Sequence, residues 1–312
     1  MPMKSPKKSF FGRKKTPSYT SDIGAEGDAF VAGLVQERSI AEMKKKYDTA
    51  NAMEIGHGAC GAVMAVKRID TGDMFAMKII TLESMSAETF DELRMEIEVQ
   101  RKLDHPNICK ILEYYGDKRK GKMYIIMELC TGGSLVSRMK HHRHGYGEAA
   151  AATLMDKMLS AIIYCHHHGI VHRDIKLDNM MYEGEAEDAE LKLIDFGFAC
   201  EVQAGRERMS DQLGTPSYMA PELWADQQYD SSVDVWALGV VAYMLMSGCR
   251  PFDHTNREEK MRMIREDPVE FPAKRGWGNR SEEAKDFCRQ LMQKQVCARV
   301  PAVAWEGKAV AV

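Results

Sequence analysis

Val171-His172-Arg173-Asp174-Ile175-Lys176-Leu177-Asp178-Asn179, with Ile194-Asp195-Phe196-Gly197 beginning 15 residues beyond Asn179, decides how this chain is read. Asp174 can accept or orient a hydroxyl proton, and Lys176 can neutralise charge on a migrating phosphoryl group. Asn179 and Asp195 offer the hard oxygen ligands that Mg²⁺ takes. Ala220-Pro221-Glu222 follows in order. Chance co-occurrence of these motifs in this sequence order is negligible.

Working toward the N-terminus, Ile55-Gly56-His57-Gly58-Ala59-Cys60-Gly61-Ala62-Val63 sits at a strand–turn–strand position. Three missing side chains let backbone N–H groups approach phosphate oxygens. Taken alone, a Gly-rich hairpin is more often just a turn. A strand rather than a helix follows the glycines, which excludes a dinucleotide fingerprint. Phe75-Ala76-Met77-Lys78 then ends an apolar run on one lysine. A buried ammonium needs an anion, and Glu96 on the next helix is the candidate. An isolated lysine of this kind is more often a solvated strand edge.

The chain has 312 residues, 45% apolar and 29% charged, which is globular composition sufficient for two lobes. Net charge is −3, so no strong field for nucleic acid is expected. Residues 1–21 carry Lys4, Lys7, Lys8, Arg13, Lys14 and Lys15 with no acid, so a basic tail precedes an acidic body. The eight cysteines are scattered without a Cys-x-x-Cys pair, and no signal-peptide run opens the chain. They read as reduced thiols in an intracellular protein. The longest apolar run, 235–246, is shorter than the ~20 residues a membrane span needs and reads as a buried helix. Cytoplasmic residence is expected, with nuclear entry an option for the basic tail.

Residues 47–128 show short β-prone runs at 53–55, 62–68, 74–80, 108–115 and 122–128, interrupted by one helical stretch at 86–103. Ser86 is the candidate N-cap of that helix, and Asp104-His105-Pro106-Asn107 the stop. Beyond Thr131-Gly132-Gly133 the periodicity is helical, notably at 149–167, 232–247 and 281–293. A β-rich part therefore joins a larger helical part, and no internal repeat occurs.

Across residues 47–300 the ordered motifs resemble the eukaryotic protein kinase family. The resemblance implies an α+β bilobal fold, with a small antiparallel N-lobe at 47–127, a hinge at 128–132 and a helical C-lobe at 133–305. A flexible basic extension would occupy 1–46 and a short atypical tail 306–312. ATP would lie in the cleft, contacted by Ile55, Gly56, Gly58, Gly61, Val63, Ala76, Lys78, Met127, Glu128, Cys130 and Met181. Met127 would be the gatekeeper, the Glu128 carbonyl and Cys130 N–H the adenine contacts, and Val63, Ala76 and Met181 the apolar sandwich. Asp174, Lys176, Lys78 and Glu96 would form the catalytic set, and Asn179 and Asp195 the Mg²⁺ ligands. Asp234 would hold the catalytic loop, and Glu222 would pair with Arg299.

Lys176 and Gly214-Thr215-Pro216-Ser217-Tyr218 resemble serine/threonine rather than tyrosine kinases. The 16-position spacing from Asn179 to Asp195, the acidic turn between them, and Met209-Ser210-Asp211-Gln212-Leu213 resemble calcium-dependent protein kinases of the calmodulin-kinase group. The implied activity is transfer of the ATP γ-phosphoryl group to Ser/Thr hydroxyls of protein substrates. The competing reading is an ATP-binding scaffold with feeble turnover, motivated by departures from the pattern. Cys60 replaces an aromatic residue, Gln100 places a polar group against the Phe of Asp-Phe-Gly, and the C-terminus departs from the pattern; Ser134, in place of a Glu, argues instead against a preference for arginine three residues before the acceptor. Asp211 is expected to pair with Arg173 in place of a phosphothreonine. No Asp-x-Asp-x-Asp-Gly calcium loop occurs in the sequence. The altered 300–312 segment predicts a truncated end whose last helix packs poorly. The clusters His141-His142-Arg143-His144 and His166-His167-His168 read as exposed helix ends rather than metal ligands.

Overall fold

The computed structural model describes residues 39–58, 61–82, 85, 87–117, 120–202, 209–210, 213–225 and 227–306. Five strands form an antiparallel sheet in the order β1-β2-β3-β5-β4: β1 (Tyr47–Gly58), β2 (Gly61–Arg68), β3 (Met74–Thr81), β4 (Ile111–Asp117) and β5 (Lys122–Met127). The two-residue side-chain period of a strand sorts this sheet into two faces. Met77 and Ile126 pack on one face with Val66 and Tyr115. Ile80, Ile125 and Met123 pack on the other with Leu93 and Ile97 of α2 (Ala87–Lys102). Lys78 shares the strand parity of Ala76 and Ile80, so it faces the α2 side.

The outer face is covered by a helix that the sequence reading placed within the extension. Residues 40–46 fold as α1 (Ile40–Lys46), closed by a capping box in which the Glu42 N–H donates to Ser39 Oγ and the Ser39 N–H donates to Glu42 Oε2. Met43 is buried against Tyr47, and Lys46 reaches Glu113 at 2.8 Å. The folded lobe thus begins about eight residues before 47. One amphipathic turn with a single core methionine gave too weak a period to stand out from a basic tail.

Strand β4 begins at Ile111 rather than 108. Residues 107–109 instead bond to the C-lobe: the Leu193 N–H donates to Asn107 O at 2.8 Å, and the Cys109 N–H donates to Leu193 O at 2.9 Å. Leu193 ends β8 (Leu191–Leu193), which pairs with β7 (Met180–Tyr182); β6 (Ile170–Val171) pairs with β9 (Cys200–Glu201). These short ribbons carry the loops that the site uses.

The C-lobe adds α3 (Leu135–Met139), α4 (Glu148–His167), α5 (Pro221–Trp224), α6 (Ser232–Ser247), α7 (Arg257–Glu266) and α8 (Glu282–Leu291). Every residue of α6 except Met244 is buried, which explains its hydrophobicity all round the helix. Helix α6 is the C-lobe's central post, with α4 and α8 packed against it. Among the described residues no helix is long and apolar enough to cross a membrane.

The C-terminal segment packs, contrary to the expectation of a loose last helix. Residues Ala302–Trp305 form a 3₁₀ turn in which Ala302 is 1% exposed, and the Trp305 ring meets Phe287 edge-on at 5.2 Å. Beside it, Arg299 is fully buried; Nη1 donates to Glu222 Oε1 at 2.7 Å and to Ser232 O at 2.9 Å. An apolar Ala-Val-Ala-Trp turn replaces the longer helix pattern as the lid on α4 and α8.

Candidate active site

A cleft of about 610 Å³ separates the two lobes. Ile55, Gly56, Val63, Ala76, Lys78, Glu96, Met127, Glu128, Cys130, Met181 and Asp195 all line it, so the fold brings these candidates together. Gly61 does not. Gly58 pairs with Gly61 at the tip of the β1–β2 hairpin. Gly61 answers a packing demand instead: its φ is +146°, and a Cβ there would stand 1.9 Å from the Ile79 carbonyl oxygen. Ala59 and Cys60, including the departure at Cys60, lie outside the described residues.

Lys78 Nζ lies 3.2 Å from Glu96 Oε1, joining β3 to α2. Both side chains are about four-fifths buried or more, at 23% and 15% exposure, so each charge is compensated by the other. Gln100, one turn further along α2, also has a partner. Its Nε2 donates to Cys109 O at 2.7 Å, which meets the cost of burying an amide.

The Asp174 carboxylate is gripped from three sides. Lys176 Nζ and Asn179 Nδ2 reach Oδ2, the latter at 3.3 Å, while the Thr215 hydroxyl donates to Oδ1 at 2.8 Å. Lys176 Nζ also reaches Thr215 Oγ1 at 3.2 Å. Thr215 was visible in the sequence as part of a motif, but its bridging of acid and base was not. Asn179 Nδ2 also donates to Asp174 O at 2.9 Å, and its own carbonyl oxygen accepts the Ile194 N–H at 2.9 Å. That backbone bond sets Asn179 next to the segment leading into Asp195; each carries a side-chain oxygen of the kind a hard divalent cation takes.

The Asp-Phe-Gly segment turns inward. Phe196 is fully buried, with its ring against His172 at 4.8 Å between centroids. Asp195 holds a φ of 65° and Arg173 a φ of 66°, both in the left-handed region that side chains rarely adopt. Such strain persists where the surroundings fix it, commonly at functional sites. For Arg173, Asp234 on α6 supplies the fixing: it accepts the N–H of His172 at 2.9 Å and that of Arg173 at 2.8 Å. The Arg173 side chain donates to Phe198 O at 2.5 Å. Asp211, its expected partner, lies outside the described residues.

Two further residues escaped the sequence reading. His166 is not an exposed helix end: its side chain is 7% exposed and Nε2 lies 2.9 Å from Asp234 Oδ2. Lys192 on β8 is buried and clamps the hinge, with Nζ 2.9 Å from Glu128 Oε2 and 3.1 Å from Pro106 O. Burial pushes the Lys192 ammonium down, but the Glu128 carboxylate outweighs it and holds its pKa above the usual value. Neither partner has a local signal, because each pair spans more than 60 residues. Ser134 caps α3, accepting from the Ser137 N–H at 3.3 Å.

A protein kinase domain model matches residues 49–305 of the sequence. The chain belongs to the protein kinase family. The kinase domain is 38% identical over 239 residues to calcium/calmodulin-dependent protein kinase type 1 of Macrobrachium nipponense, covering 76% of this chain and 67% of that one. It is 35% identical to myosin light chain kinase A of Dictyostelium discoideum, covering 84% of this chain and 87% of the relative. Calcium-dependent protein kinase 14 of Arabidopsis thaliana is 31% identical over 93% of this chain, which spans only 54% of that relative. Fold, motifs and relatives together make this a serine/threonine protein kinase domain that uses ATP, a divalent metal and protein substrates.

Proposed function

We propose that this kinase domain transfers the γ-phosphoryl group of ATP to Ser/Thr hydroxyls with Asp174, Lys176, Lys78 and Glu96 as its working residues. The observation that carries the reading is the Lys78–Glu96 pair, closed at 3.2 Å on the wall of the cleft that also holds Asp195. A lysine so held is aimed at nucleotide phosphates without reorganising at the moment of reaction.

Asp174 orients the acceptor hydroxyl. Its carboxylate is already engaged by Lys176, Asn179 and Thr215, so positioning is its main contribution. Lys176, held against Asp174 and Thr215, would offset charge on a migrating phosphoryl group. Thr215 fixes both side chains in one geometry. Asn179 and Asp195 would hold Mg²⁺, which when bound neutralises charge on the phosphates. Ile55, Gly56, Val63, Ala76, Met127, Met181 and the Glu128 and Cys130 backbone would enclose the nucleotide. Intracellular residence, cytoplasmic with nuclear access through the basic tail, is part of the same proposal.

The test is phosphoamino-acid analysis after incubating the protein with γ-labelled Mg-ATP and a mixed peptide array. Label on Ser and Thr supports the reading. Nucleotide binding with no transfer to any hydroxyl would return the scaffold alternative.

A further inference from the structure

Lys192 is 5% exposed and joins three segments. Its Nζ donates to Glu128 Oε2 at 2.9 Å and to Pro106 O, ahead of β4, at 3.1 Å. Its backbone lies in β8, directly opposite Met181 of β7 in the antiparallel ladder, and residues paired in this way carry their side chains on one face. Glu128 and Met181 both line the interlobe cleft, whereas Lys192 is no part of its wall. One buried ammonium thus stands behind two residues that the cleft presents.

The frame around Lys192 is tied on both sides. The Leu193 N–H donates to Asn107 O at 2.8 Å, and Asn107 Nδ2 donates to Leu191 O at 2.9 Å. Strand β8 is thereby laced to the segment that holds Pro106. The same segment grips Glu128, whose N–H donates to Lys110 O at 3.1 Å and whose Oε2 accepts the Lys110 N–H at 3.0 Å. That oxygen therefore accepts from both Lys110 and Lys192, and Lys192 brings the compensating charge.

We propose that Lys192 is a positioning residue for nucleotide binding: by holding the Glu128 carboxylate and pairing with Met181, it sets how tightly the adenine end of the cleft binds, without acting on phosphoryl transfer. The proposal rests on the cleft's assignment to ATP.

The physical link is preorganisation, since a ligand that meets walls already in place has less ordering to offset. With Lys192 replaced by Met, the Glu128 carboxylate loses its cation at a site only 33% exposed, and an uncompensated charge there draws toward water. The Glu128 main chain, whose carbonyl would meet the adenine, is then held by Lys110 alone. Adenine is not the reacting part of the nucleotide. A contact made equally in the ground and transition states raises KM when lost and leaves kcat unchanged. Asp195, three residues beyond Lys192, is steadied separately by the bond from the Ile194 N–H to Asn179 O at 2.9 Å.

The experiment measures binding of Mg-ATP and of adenosine to the full chain by calorimetry, beside steady-state kinetics. It compares wild type, Lys192→Met, Lys192→Arg and the double variant Lys192→Met/Glu128→Gln. Lys192→Met is expected to weaken both ligands by the same factor, about tenfold, the low end for a lost hydrogen bond to a charged group. KM for ATP should rise to match while kcat holds. Lys192→Arg, which keeps the cation, should recover most of the loss. The double variant leaves no uncompensated charge, so it carries the test if Lys192→Met does not fold, and it too should bind both ligands more weakly than wild type with kcat unchanged. Wild-type affinity in the variants that lack the cation overturns the proposal, as does a loss for Mg-ATP with adenosine unaffected. A fall in kcat with KM unmoved overturns it, and so does Lys192→Arg binding as weakly as Lys192→Met. A wild type that binds neither ligand overturns the nucleotide assignment and this proposal with it, whereas wild-type binding with unaltered variants overturns this proposal alone.

Discussion

His166 Nε2 lies 2.9 Å from the Oδ2 of Asp234, the oxygen that also accepts the His172 N–H. One buried carboxylate on α6 thus joins the end of α4 to the backbone that presents Asp174. Burial pushes the Asp234 carboxyl up, but the His166 hydrogen bond, the neighbouring imidazoles and the His172 N–H outweigh it and hold its pKa below the usual carboxylate range.

His166→Ala removes one of the donors that hold Asp234 and is expected to cost about 1.5–3 kcal/mol, the worth of a hydrogen bond to a charged group. Because the loop it steadies carries Asp174, kcat should fall while KM for ATP stays near the wild-type value. His166→Gln, which keeps a donor, should recover part of the loss. Steady-state kinetics at saturating peptide check this; an equal rise in KM for ATP would contradict a role through the catalytic loop.

Acid sensitivity follows from His172 and Asp234 with the same sign. Burial lowers the pKa of His172 below its usual ~6.5. Below that pH the unfolded chain binds a proton that the folded chain refuses, so stability falls as pH drops from ~6.5 toward the folded value. Asp234 adds stability above its unfolded pKa of ~3.8, lost as pH falls through the lowered folded value. Burial lowers His105 as well. The urea midpoint should therefore decline between pH 7.5 and 5.5, less steeply in His172→Phe. A flat or rising wild-type profile would contradict the assignment.

Arg299→Met leaves Glu222 as an uncompensated carboxylate at 4% exposure. The expected loss is about 3–5 kcal/mol. Replacing both partners by apolar residues of similar volume should cost much less, and denaturant unfolding of the single and double variants separates the two cases.

Gln100→Leu tests the polar group that the sequence marked as a weakness. Because the Gln100 amide serves the Cys109 carbonyl, its removal leaves a buried acceptor and should destabilise by about 1–3 kcal/mol. If Leu stabilised the protein instead, Gln100 would be a defect rather than a brace between α2 and the segment entering β4.

What the sequence disclosed depended on whether a role is fixed by local offset. Lys176 stands two residues after Asp174, and Asn179 five after it, so their chemistry was legible from the string alone. The same held for α6, whose unbroken apolar run demanded burial. His166 and Lys192 were opaque because their partners, Asp234 and Glu128, lie on other elements and either residue alone resembles a surface side chain. Helix α1 was hidden because its single core residue, Met43, sits among lysines. The close approach of Gly61 to the β3 backbone was equally hidden, because the partner carbonyl, Ile79, lies on another strand. In the closing turn, the apolar residues departed from the familiar pattern but still covered α4 and α8.

The central claim is that Asp174 and its braces make this chain a working phosphotransferase. The most direct measurement is transfer of labelled γ-phosphate from Mg-ATP to a generic basic protein and a degenerate Ser/Thr peptide array, wild type beside Asp174→Asn. The account predicts robust wild-type transfer, and in the variant a rate lower by several orders of magnitude with Mg-ATP binding retained. Equal transfer by the two proteins, or none by a wild type that binds Mg-ATP, would contradict it.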